Sequence, residues 1–175
     1  MFYSPLIFLV MVVFFLIALV LLPFLWLGVI GNAFVNLQET ILAVNVGGAI
    51  IPAALSVYLF VQIFKRMGVS WGLLANLGAV TAVMYLVARP VKGLGIAVPG
   101  LVPPLVAALG AWILCPGKFR APCAFIASTM GTLIGADLLH LREIAGLGAP
   151  VASIGGAGTF DAIFLSGIIA VLLSY

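Results

Sequence analysis

The sequence predicts an all-α, polytopic membrane protein of about six transmembrane helices, several of them broken by glycine and proline. Three observations carry this. Hydrophobic residues make up 66% of the chain and charged residues 6%, a balance outside that of water-soluble domains. A hydrocarbon core of roughly 30 Å takes about 20 helical residues, so 175 residues form a single transmembrane domain over 1–175 with no room for a soluble one. The seven Lys and Arg fall in ones and twos between apolar runs, which makes them topology signals and excludes a nucleic-acid surface despite the net charge of +3.

The first apolar run, residues 5–31, is too long for a signal-peptide core and has no basic leader, so it is expected to be retained as a span, kinked at Pro23. The polar connection Asn32 to Thr40 follows. Its Glu39 is either a solvated acid at a helix start or a contributor to a site.

The second span is expected over 41–64 and carries Asn45-Val-Gly-Gly-Ala-Ile-Ile-Pro52 in its first half. Two glycines and a proline free backbone groups that neighbours or water must satisfy, so this half is expected to be bent or unwound. Asn45 then lines a cavity or bonds across helices. Lys65-Arg66 close the span. The third, residues 69–88, places Trp71 and Tyr85 near opposite interfaces and uses Asn76 and Thr81 to bridge helices.

Pro99, Pro103 and Pro104 make residues 93–104 irregular or re-entrant, with helix expected only beyond Pro104, up to Leu114. Cys115 and Cys123 flank the next connection, and their spacing fits free structural thiols as well as a disulfide. The fifth span, residues 123–141, sets Asp137 on one face with Leu133, Met130 and His140. His140 either pairs with Asp137 or Glu143 or serves the site. Asp-x-x-His supplies only two metal ligands, so neither metal nor cofactor is expected.

The last apolar run, residues 151–175, contains Ser153-Ile-Gly-Gly-Ala-Gly-Thr-Phe-Asp161. As one straight helix it would bury Asp161 about 16 Å deep, against about 6 Å for Asp137, and the two carboxylates would miss each other. If residues 151–158 are instead unwound and Thr159 caps the helix, both aspartates lie at similar depth, with Gly155, Gly156 and Gly158 lining the approach. Ionisable groups at membrane depth mark functional sites, and Asp137 and Asp161 are the only two aspartates.

Under six spans the side holding both termini also receives Lys65, Arg66, Lys118 and Arg120, against Arg89, Lys92 and Arg142 opposite. That asymmetry favours cytoplasmic termini in the cell membrane. Asn45-Val-Gly-Gly-Ala49 and Ser153-Ile-Gly-Gly-Ala157 echo each other and run inward from the same side, either as two broken helices around one cavity or as close packing through small residues.

Gly93-Leu-Gly-Ile-Ala-Val-Pro99, Gly131-Thr-Leu-Ile-Gly-Ala-Asp137 and Gly155-Gly-Ala-Gly-Thr-Phe-Asp161 together resemble a prokaryotic family of small membrane proteins of the DUF1614 type, a domain of unknown function. That resemblance implies a helical membrane protein and no particular activity. Ala157-Gly-Thr-Phe-Asp161 is also similar, more loosely, to the Gly-x-Gly-Asp element of the intramembrane aspartyl proteases, the group of presenilin, signal peptide peptidase and prepilin peptidase. Here Phe160 stands in place of the glycine before the aspartate, and Pro52-Ala-Ala-Leu55 approximates that group's Pro-Ala-Leu but precedes the aspartates.

This second resemblance implies catalysis by Asp137 and Asp161 on a membrane-embedded peptide, with Asn45, Gly155, Gly156, Gly158, Thr159 and His140 lining the cavity. Two alternatives use the same sequence features. One is a proton- or cation-coupled transporter built on the two aspartates, and the other is a structural membrane protein whose aspartates bond across helices. Membrane lipids are the expected surroundings, and a homo-oligomer is compatible with all three readings.

Overall fold

The computed structural model describes residues 33–37, 40–91, 95–144, 151–156 and 162–175. The first expected span, residues 5–31, lies outside them, as do Glu39, Gly158, Thr159 and Asp161. The described chain is mostly helical, with two small sheets. Strands β1 (Ala33–Leu37) and β2 (Thr40–Val44) form an antiparallel hairpin, and β5 (Val151–Ile154) pairs parallel to β2, giving the order β1-β2-β5. A second hairpin joins β3 (Arg89–Val91) to β4 (Gly95–Ala97).

Helix α1 (Val46–Met67) opens as a π turn over Val46–Ile50 and continues as a regular helix. The expected second span is therefore corrected at its start. Residues 41–44 are strand, in keeping with the β-branched run Thr40-Ile41 and Val44, and the helix begins only after Asn45. Pro52 follows the π turn directly and, lacking an N–H, interrupts the ladder that the Ile51 N–H continues to the Val46 carbonyl.

Helix α2 (Trp71–Val87) is capped by the Ser70 hydroxyl, which accepts from the Leu73 N–H at 3.3 Å. Helix α3 (Val102–Leu114) starts before Pro103 and Pro104 rather than after them, because prolines in a first turn occupy positions whose N–H groups have no helical partner anyway. The irregular stretch expected before α3 contains β4, which pairs back onto β3 in the residues ahead of that stretch.

Helix α4 (Gly117–Leu138) begins with a 3₁₀ turn and ends in a π stretch over Leu133–Leu138 that carries Asp137. A short helix α5 (Leu141–Ile144) follows, and α6 (Ala162–Leu173) closes the chain. Among the described residues, α1 and α4 are long and apolar enough to cross a membrane, whereas α2, α3 and α6 are shorter apolar helices. Residues 151–154 are strand and not helix, which is the non-helical form expected there, while 157–158 lie outside the described residues.

Helix α4 is the hub, packed against α1, α2, α3 and α6. It is buried on every side from Ala121 to Thr129 because Ala121, Cys123, Ala124, Ala127, Ser128 and Thr129 are small enough for neighbouring backbones to come close. Gly135 shows the same principle at the site end. A side chain there would collide with the Thr81 carbonyl and lie 2.8 Å from Met84 Cβ, so α2 and α4 meet there only because residue 135 has no Cβ.

The interior is partly polar and the outside is largely apolar. Ser56, Asn76, Ser128, Thr129, Thr132 and Ser166 are buried, while Val57, Tyr58, Phe60, Val61 and Phe64 on α1 are exposed. Asn76 bridges helices as the sequence predicts, donating to the Ala107 carbonyl of α3 at 2.9 Å. Thr81 bonds the Leu77 carbonyl of its own helix at 2.8 Å instead, the usual back-bond of a helical threonine. Cys115 and Cys123 are free, buried thiols. A hydrogen bond between them holds the Cys115 thiol below its ordinary range.

Candidate functional site

Two strand-to-helix junctions lie side by side at one end of the bundle. Strand β2 leads through Asn45 into α1, and β5 leads into Gly155-Gly156, upstream of α6. The strands run parallel with Val44 opposite Ile154, two residues out of step with the sequence echo, so Asn45-Val-Gly-Gly and Ser153-Ile-Gly-Gly come side by side without pairing residue for residue.

Asn45 holds the junctions together. Its backbone N–H donates to the Ile154 carbonyl at 2.9 Å, extending the ladder by one rung. Its side-chain amide donates to the Gly156 carbonyl at 3.1 Å, and its side-chain oxygen accepts from the Gly48 N–H at 3.0 Å as the cap of α1. Asn is suited to this position because one side chain supplies both donor and acceptor. Ser153 adds a second donor to the Gly156 carbonyl at 2.7 Å.

Gly155 and Gly156 have φ of +79° and +76°, a left-handed conformation that side chains disfavour. At Gly155 space forbids a side chain as well. A Cβ would stand 2.7 Å from both Ala49 N and Ala49 Cβ, so the second junction packs directly on the first turn of α1.

Asp137 meets this pair of junctions. From its partly buried position in the π stretch of α4, its Oδ2 accepts the Gly155 N–H at 3.3 Å. The π stretch itself is buttressed by His140. The buried ring donates Nδ1–H to the Gly135 carbonyl at 3.1 Å and lies 4.9 Å from the Tyr85 ring. A carbonyl can only accept, so a proton is carried on Nδ1.

Of the residues singled out by the sequence, Asp137, Asn45, Gly155 and Gly156 thus come together, with His140 in the turn that follows the Asp137 helix. Asp161, Gly158 and Thr159 lie outside the described residues. Ala49, Ser153 and Tyr85 were not foreseen as parts of this cluster. The echo of the two Gly-Gly segments was the signal that could have located Ala49 and Ser153; Tyr85 carried none beyond its aromatic character. Among the described residues no group of three His, Cys, Asp or Glu is arranged to hold a metal ion.

No protein of curated function and no solved structure matches the chain. The family described as protein of unknown function (DUF1614) matches residues 18–173, a stretch that includes both junctions, the Asp137 helix and the Asp161 segment. The chain belongs to that family.

Proposed function

We propose that this chain is a multi-pass cell-membrane protein with cytoplasmic termini that hydrolyses a membrane-embedded peptide by means of Asp137 and Asp161. The observation that carries the reading is the bond from the Gly155 N–H to Asp137 Oδ2, which ties the backbone leading to Asp161 against the other carboxylate. The approach of Ala49 to Gly155 adds to it. It brings the first turn of α1 beside the same backbone. An apolar outer face around a partly polar interior supports residence in lipid, as six spans would require.

In this mechanism two carboxylates close together cannot both ionise and share one proton. The charged member accepts a proton from the attacking water, and the protonated member polarises the scissile carbonyl. The pair titrates jointly, so neither role belongs to one aspartate in isolation. An extended peptide would be held beside the sheet by main-chain bonds. Asn45, Gly155 and Gly156 keep that sheet in register, and Gly158 and Thr159 belong to the same lead-in to Asp161.

The test is photolabelling of the reconstituted protein by a transition-state isostere of aspartyl proteolysis. Competable labelling that disappears in both Asp137→Asn and Asp161→Asn is the expected result. No labelling of folded wild-type protein would reject the proposal.

A second reading is favoured by the two parallel broken junctions beside one carboxylate, a form that coupled transporters use to bind ions. It predicts proton- or sodium-dependent flux in liposomes that both Asn variants abolish. Flux without labelling would select it, and loss of neither property in the Asn variants would favour a structural role.

A further inference from the structure

The end of the bundle opposite Asp137 is built differently. Helix α1 ends there with Lys65 and Arg66 in its last turn, and α2 begins after a connection of residues 68–70. Gly72 near the start of α2 backs onto the Leu114 carbonyl at the end of α3. Trp112 of α3 donates its indole N–H to the Leu173 carbonyl at the end of α6, at 3.3 Å, and the Arg120 guanidinium of α4 lies 4.0 Å from the centre of its ring. Four cations, Lys65, Arg66, Lys118 and Arg120, therefore share one end. The only Asp and Glu among the described residues, Asp137 and Glu143, lie at the other.

Helix polarity accounts for two of these cations and not for the others. Lys65 and Arg66 occupy the last turn of α1, where the helix dipole favours positive charge. Lys118 and Arg120 occupy the first turns of α4, where the dipole opposes it, and no acid among the described residues stands in those turns to compensate. Arg120 is also held against Trp112 with its Nε buried and without a hydrogen-bond partner. Exposed Trp71 and Tyr175 rim the same end, as amphipathic aromatics do at headgroup depth.

We propose that this end, formed by Lys65, Arg66, Lys118 and Arg120, binds anionic phospholipid headgroups of the cytoplasmic leaflet, with the Trp112-stacked Arg120 as its fixed element. A headgroup phosphate supplies the negative charge that the start of α4 lacks, and a leaflet rich in such lipids holds this end on one side of the membrane. The Asp137 end then faces the opposite leaflet. The inference rests on the membrane reading above but not on proteolysis.

The test uses the full chain with W26F and W71F, which leaves Trp112 as the only tryptophan, reconstituted in phosphatidylcholine vesicles. Flotation with the vesicles checks membrane residence separately from lipid choice. Brominated phosphatidylglycerol is expected to quench Trp112 at a much lower mole fraction than brominated phosphatidylcholine. The half-quenching fraction should rise about fivefold for each cation removed. R120Q reads the fixed element, and K65Q/K118Q, which alters two exposed side chains, reads the surface if R120Q fails to fold. Equal quenching by the two lipids, or a preference unchanged in K65Q/K118Q, would overturn the proposal. So would loss of the preference on adding inorganic phosphate, which would identify a soluble anion as the ligand.

Discussion

Gly155 and Asp137 are joined by a backbone-to-carboxylate hydrogen bond of 3.3 Å between β5's glycine turn and the π stretch of α4. The bond depends on the left-handed φ of Gly155 and on the absence of a Cβ where Ala49 closes in. Both properties can be tested by adding a single methyl group.

Gly155→Ala should destabilise the fold by about 2–5 kcal/mol, combining left-handed backbone strain with overpacking against Ala49. Reversible unfolding in mixed micelles measures this. A loss below about 1 kcal/mol would mean that the junctions do not pack as tightly as the geometry requires.

Asn45→Ala removes a helix cap and the amide donor to Gly156 together, and should cost about 1–3 kcal/mol. Asn45→Asp keeps the cap acceptor for Gly48 but loses the donor to Gly156, so its Gly48 amide should stay protected while the β5 junction loosens. Hydrogen exchange at Gly48 and Asn45 separates the two effects. Equal loss of protection at both sites in Asn45→Asp would contradict the division of labour.

His140→Ala frees the Gly135 carbonyl and removes the ring beside Tyr85. The expected outcome is faster exchange across Leu133–Leu138 and weaker photolabelling through Asp137, with α2 and α3 unaffected. His140→Asn, whose side-chain amide can donate to a carbonyl, should recover part of the protection. If both variants exchange like wild type, the ring does not hold the π stretch.

Asn76→Ala deletes a fully buried bond to the Ala107 carbonyl between α2 and α3. Interhelical bonds of this kind contribute about 0.6–2 kcal/mol, so a loss in that range is expected from unfolding in micelles. Asn76→Asp should cost more, because an ionised side chain cannot donate to that carbonyl and would be buried.

The helices were legible because their signals are local. The apolar run placed the third span over 69–88, close to α2 at Trp71–Val87, and the prolines at 103 and 104 mark a helix beginning, although their fit within the first turn moved that start to Val102. Asn76 was readable as a bridge because a buried amide in an apolar segment needs a partner. The sheet was less legible. Thr40–Val44 and Val151–Ile154 are short apolar runs that fit a helix or a strand equally well until a partner strand is known, and that partner lies more than 100 residues away.

Composition and the spacing of apolar runs determine a helical chain suited to lipid, with broken segments wherever glycine and proline cluster, because these follow from backbone chemistry and length alone. Tertiary structure decided which broken segments meet. The parallel register of β2 and β5, the packing of Ala49 on Gly155 and the reach of Asp137 to the Gly155 N–H each join residues distant in sequence. No local propensity encodes such contacts. They arise when the small residues of α4 let four helices close around it and so bring both junctions to one end of the bundle.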